Sequence, residues 1–190
     1  MKYRYLIILS IFIPLLQGCP APILIAGATG GAIVATDERN TRTLVDDELI
    51  ESRAKDKLYE DPEVAKKIHV NVTSYNGIVL LTGETVNESL RTRAINIVRY
   101  MDNVRRVHNE IHVGNLTELE SRTSDGWITS KVKAKMLTTK GFKSSQIKVT
   151  TEAGTVYLMG LVTKDAGNQA AEITRNISGV KRVVKLFEYL

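Results

Sequence analysis

The side chains best suited to chemistry in this chain are its one tryptophan, its three histidines and its one cysteine. Trp127 precedes Lys131 by four residues and Lys135 by eight, a spacing that stacks an indole and two ammonium groups along one side of a helix. Ala134, Leu137 and Thr138 fall beside them. An indole suits the headgroup level of a bilayer, and each nearby lysine adds on the order of 1 kcal/mol at an anionic surface. The chemistry offered is non-covalent docking on anionic phospholipid such as phosphatidylglycerol or cardiolipin. A second reading stands beside it: Trp127 staples the helix start against its own domain or a neighbouring one, and the lysines are a solvated face.

His69, His108 and His112 are the only histidines. His108 and His112 share a strand face, and with His69 alongside they would make a loose metal-binding or pH-sensing cluster. No carboxylate or thiolate stands beside them at obvious ligand spacing, so neither a metal nor a cofactor is expected. The chain has no G-x-S-x-G elbow, no H-E-x-x-H and no C-x-x-C. No catalytic residue is assigned, and a binding protein is expected rather than an enzyme. The glycine-rich stretch 27–31 lacks both the following Lys-Ser or Lys-Thr and the preceding strand of a phosphate loop. The isoelectric point near 9.3 invites a nucleic-acid reading, but no binding motif supports one.

The cysteine has a different setting. Lys2 and Arg4 precede an apolar run, residues 6–16, that is short for a permanent membrane span. The run ends in Leu16-Gln17-Gly18-Cys19, which resembles a bacterial lipobox. The resemblance implies a signal peptide over residues 1–18, cleavage before Cys19 and acylation of that cysteine, with palmitate among the chains. More than one acyl chain gives stable anchoring, at about 0.8 kcal/mol per buried methylene. Proline rather than aspartate at position 20 favours the outer membrane by resemblance to known sorting signals. The body then faces the periplasm, with residues 19–45 as lipidated cysteine and flexible tether.

The elements that must position these groups come from a duplication. Residues 68–83 (IHVNVTSYNGIVLLTG) are echoed by residues 145–160 (SQIKVTTEAGTVYLMG). Each copy reads as strand, tight turn, strand. Asn76-Gly77 is a strong type I′ hairpin signal, since both positions need positive φ; Ala153-Gly154 keeps only the glycine. In the first unit, 46–113, Asp46 or Asp47 is expected to cap a helix whose Ile50, Ala54 and Leu58 face a core. Asp61-Pro62 ends that helix. After the hairpin, residues 86–101 form a second amphipathic helix capped by Asn87, and residues 104–113 close the unit as a strand. A polar linker, 114–123, leads to the second unit, 124–190, which repeats the same order. There Ile128, Val132 and Met136 match the first core stripe, leaving Trp127 about 100° away from it. The opposite sheet face is left to pack against the sister unit or a partner.

Charge separates the two copies. Residues 46–113 carry 10 basic and 12 acidic side chains, net −2, whereas residues 121–190 carry 12 and 5, net +7. The contrast is sharpest in the first helices, with three basic and six acidic residues over 46–60 against four and one over 124–140. This places membrane contact in the second unit.

The repeated helix-strand-strand-helix-strand order, the hairpin glycines and the final Val-x-x-Val strand resemble the BON domain, present twice. With the lipobox in front, the chain is similar to dual-BON-domain outer-membrane lipoproteins. The resemblance implies an α/β (α+β two-layer) fold, each domain carrying two helices on a three-stranded mixed sheet. It also implies a periplasm-facing lipoprotein that binds anionic phospholipid and supports outer-membrane integrity, with division-site enrichment among some members. Two other functions stay open. One is a scaffold for envelope-assembly or division proteins with incidental lipid contact; the other is cytolysis, since some members are labelled haemolysins.

Overall fold

The computed structural model describes residues 41–116 and 119–190. The expected signal peptide, Cys19 and the expected tether up to residue 40 lie outside them. The described part forms one compact unit built from two copies of the same arrangement. The first copy runs α1 (Thr41–Tyr59), α2 (Pro62–Ala65), β1 (Ile68–Tyr75), β2 (Ile78–Thr85), α3 (Glu88–Arg99) and β3 (Arg106–Val113). The second runs α4 (Leu119–Thr138), a 3-10 turn (Ser144–Gln146), β4 (Ile147–Glu152), β5 (Thr155–Val162), α5 (Lys164–Arg175) and β6 (Arg182–Tyr189). Each sheet is mixed: the hairpin is antiparallel, and the last strand lies parallel to the hairpin's second strand. The fold expected from the duplication is the fold observed.

Local chemistry accounts for the element ends. Asn76 and Gly77 sit at φ 52° and 70°, the paired positive values of a type I′ turn. Ala153 and Gly154 reach 49° and 79°, so the second hairpin turns the same way even with a Cβ at its first position. The Asn87 side chain accepts from the Leu90 amide and caps α3, and Thr163 does the same for α5 through Ala166. Asp61 caps the short α2 by accepting from the Glu63 amide, with Pro62 in the first turn. Helix α1 begins at Thr41, inside the stretch read as tether, and α4 begins at Leu119, inside the stretch read as linker.

One expectation is overturned. Asp47 does not cap α1, because the helix starts six residues earlier. Its carboxylate is buried and instead accepts from Ser74 Oγ (2.6 Å), the Asn76 amide (2.7 Å) and the Gly77 amide (2.9 Å). Asp125 does the equivalent in α4, accepting from the Ala153 amide (2.7 Å) and the Gly154 amide (2.8 Å). Each domain thus latches its first helix onto its hairpin turn through one buried carboxylate. A carboxylate facing several amide donors satisfies backbone groups that burial would otherwise leave unpaired.

Packing forms layers of helix, sheet, sheet and helix. Ile50, Ala54 and Leu58 of α1, with Ala94 and Val98 of α3, pack on Ile68, Val70, Val79 and Leu81. Ile128, Val132 and Met136 of α4 repeat this on Val149, Val156 and Leu158. The other faces of the two sheets meet each other. Tyr75, Ile78 and Leu80 pack there with Tyr157 and Met159. All eight residues of β2 are buried as a result, since both faces of that strand are covered.

Polar pairs border this contact. Lys148 Nζ donates to Glu51 Oε1 (2.6 Å), Arg105 pairs with Glu188 (2.9 Å), and Tyr157 OH donates to Glu110 (3.1 Å). Burial and the Glu110 carboxylate push the Tyr157 phenol up to about 12. The Thr73 and Thr150 hydroxyls meet at 3.2 Å, a contact between repeat-equivalent residues that marks a local pseudo-twofold axis.

Candidate membrane-docking site

Helix α4 is positioned from below. Ile128, Val132 and Met136 bury one stripe against the second sheet, and Asp125 locks the first turns to the β4–β5 hairpin. That rigid seat turns the opposite side of the helix to solvent. Trp127 is 68% exposed and Leu137 75% exposed. Lys131, Ala134, Lys135 and Thr138 are exposed as well, so all six residues of the expected docking face lie on the surface. The indole is therefore neither packed between the domains nor folded onto its own core.

The face has internal order. Lys131 Nζ donates to the Ser178 carbonyl (2.7 Å), which ties the helix to the loop before β6. The Thr138 hydroxyl donates back to the Ala134 carbonyl (3.0 Å) and so offers no outward donor. Lys133 and Lys135 make no ion pair with another described residue, which leaves their ammonium groups available to an anionic surface. Two large apolar side chains, one of them an indole, thus project from a backbone flanked by free cations. Such a patch can insert shallowly among headgroups while its lysines pair with phosphates.

His108 and His112 share a face of β3, as their spacing suggested, but the donor group around His69 is built with carboxylates instead. His69 lies opposite Glu84 in the β1–β2 register, with Nδ1 3.2 Å from Glu84 Oε2. Glu152, from the end of β4, completes a trio whose donor atoms all lie within 4.8 Å of one another. His108 and His112 are not part of it. Burial, helped by Arg106, lowers the pKa of His108. Of the two carboxylates beside His69, Glu84 follows from the register that the Asn76-Gly77 turn sets and was overlooked, whereas Glu152 arrives only through contact between domains. The latch residues Asp47 and Asp125 were missed too. Their common spacing of three residues before Ile50 and Ile128 is the signal that would have found them.

The BON domain description matches residues 46–115 and again 124–190. The chain is 39% identical over 175 residues to the outer membrane lipoprotein DolP of Haemophilus influenzae, covering 92% of this chain and 90% of that one. It is 35% identical over 154 residues to a 21 kDa hemolysin of Actinobacillus pleuropneumoniae, covering 81% and 79%. It is also similar to the osmotically-inducible protein Y of Escherichia coli, at 27% identity over 158 residues, covering 82% and 78%. Two matched domains and a relative aligned along nearly the whole length leave one assignment: this chain belongs to the BON-domain family, as a tandem of two such domains in the company of DolP.

Proposed function

We propose that this protein is an outer-membrane lipoprotein, anchored through Cys19 on the periplasmic face, whose second BON domain docks on anionic phospholipid and thereby supports envelope integrity. The observation that carries the reading is the outer side of α4, where Trp127 and Leu137 stand exposed beside unpaired lysines. The anchor brings the domains to a bilayer, and the helix face then needs only modest affinity, because tethering supplies a high local concentration. Phosphatidylglycerol and cardiolipin fit the charge. The similarity to DolP supports the outer-membrane assignment.

The test uses a soluble form of both domains and vesicles of phosphatidylglycerol or cardiolipin, with phosphatidylcholine as control. Binding is expected to the anionic vesicles, to weaken as salt is raised, and to fall at least tenfold in Trp127→Glu. Unchanged binding by that variant sinks the reading and favours a scaffold for envelope-assembly or division proteins. The relative named a hemolysin supports a second reading, cytolysis. Release of haemoglobin from red cells by the purified protein is the measurement that decides it. No described helix is long and apolar enough to cross a membrane.

A further inference from the structure

We propose that His69, Glu84 and Glu152 form a divalent-cation site that clips the two BON domains together, suited to a borderline first-row ion such as Zn2+. The three donors come from three strands in two domains. β1 supplies His69, β2 supplies Glu84 directly across the register, and β4 of the second domain supplies Glu152. Each offers one ligand atom, and these atoms all lie within 4.8 Å of one another. Ligands around one tetrahedral Zn2+ lie about 3.4 Å apart, given metal–ligand distances of about 2.1 Å. Closing the trio onto an ion therefore takes side-chain shifts of about an ångström, within reach of a rotamer adjustment.

A second observation points to a ligand at the same place. Thr82 Oγ1 is buried and lacks a partner of good hydrogen-bond geometry, the Glu152 carboxylate being the acceptor it approaches. Thr82 sits in β2 two residues before Glu84, so the two side chains share a sheet face, and it pairs in register with Asn71, whose amide donates to Glu152 Oε2 (3.1 Å). Burial raises the pKa of the Glu152 carboxyl, and its neighbours Asn71 and Thr82 oppose that rise. A buried hydroxyl without a well-placed partner is rare in folded proteins, and an ion or its water between the donors would supply one. A metal takes such ligands in their deprotonated forms, and two carboxylates then supply the negative charge a divalent ion needs.

The donor set narrows the ion. One nitrogen and two carboxylate oxygens suit zinc and its neighbours, whereas calcium and magnesium prefer all-oxygen shells and copper(I) prefers sulfur. Access exists on two sides. One groove is lined by His69, Asn71 and Glu152, the other by Glu84, His112 and Glu152. An ion bound here ties the first domain to the second, and so sets how firmly the pair is held. The proposal is independent of lipid docking, which uses the far side of α4.

The test is calorimetric titration of Zn2+ into the chelator-stripped full chain, with a parallel thermal melt. One saturable site per chain is expected, with a higher unfolding midpoint in Zn2+ and none of that rise in Mg2+. His69→Ala and Glu152→Gln each weaken binding at least tenfold and abolish the rise, while His108→Ala leaves both intact. Far-UV circular dichroism checks that each variant is folded. His69→Ala, at a partly exposed position, serves if the Glu152 variant is not. Co2+ in place of Zn2+ gives a visible absorption band that the same variants remove. Absence of a one-to-one site, or binding that both variants leave intact, overturns the proposal.

Discussion

Helices α1 and α4 are the same element twice, and the comparison separates what the fold needs from what docking uses. Their core stripes correspond one to one, Ile50 with Ile128, Ala54 with Val132 and Leu58 with Met136. Their latches correspond too, Asp47 with Asp125. Even the lysines are less distinctive than the net charges suggest, because Arg53, Lys55 and Lys57 stand where Lys131, Lys133 and Lys135 stand. What α4 has lost is acid. Glu48, Glu51, Asp56 and Glu60 are replaced by Gly126, Thr129, Ala134 and Thr138. What it has gained is apolar reach, with Trp127 in place of Leu49.

Tyr59 and Leu137 complete the contrast. The Tyr59 hydroxyl is held by Val70, accepting from its amide (2.8 Å) and donating to its carbonyl (3.1 Å), while Leu137 projects into solvent. A helix face that touches nothing inside the protein can change without cost to the core. The two faces have diverged while the two cores have not.

Removing the shared latch is the largest expected effect. Asp47→Ala leaves a buried serine hydroxyl and two turn amides without their acceptor and should cost about 3 kcal/mol, against about 2 kcal/mol for Asp125→Ala with two amides freed. Urea unfolding of the two variants measures both values. Equal or negligible losses would break the claim that the latches carry the helix–hairpin junction.

The next effect falls on docking. Writing α1's acids into α4, as Ala134→Asp with Thr138→Glu, should reduce anionic-vesicle binding roughly thirtyfold, at about 1 kcal/mol per charge near the surface. The thermal midpoint should hardly move, since both sites are exposed. The reverse exchange in α1, Leu49→Trp with Asp56→Ala and Glu60→Thr, should create measurable co-sedimentation by the first domain in a chain already carrying Trp127→Glu.

A smaller effect tests the seam between the copies. Lys148→Ala removes the contacts to Glu51 and the Ser74 carbonyl and should cost about 1 kcal/mol. A double-mutant cycle with Glu51→Ala reads the pair alone, by urea unfolding. The smallest effect is a gain: Ala153→Asn puts the better left-handed residue at the second hairpin, at φ 49°, and should add about 0.5 kcal/mol.

Much of this was legible in the chain. Asn76-Gly77 declared its turn, Asn87 its cap, and the spacing of Ile50, Ala54 and Leu58 its buried stripe, because each depends on residues near in sequence. Asp47 was misread for the same reason. A carboxylate near a helix start looks like a cap until the hairpin that needs it, nearly thirty residues on, is in place. The four apolar residues Ile78–Leu81 that open β2 fit a strand covered on both faces, and the sequence left the sister unit or a partner to cover the second. Glu84 was within reach as a neighbour of His69, because a two-residue turn at Asn76-Gly77 sets that register, but Glu152 was invisible, since domain contact is not written in local spacing.

The order of residues by itself determined the repeated unit, its turns and caps, and which side of each helix goes inward, since backbone preference and hydrophobic periodicity act over a few residues. Only the tertiary structure decided that the two sheets cover each other, that Trp127 is left outside, and that donors from two domains converge at His69. Those outcomes follow from burying apolar sheet faces against one another, a choice that chain segments make only once they meet in space.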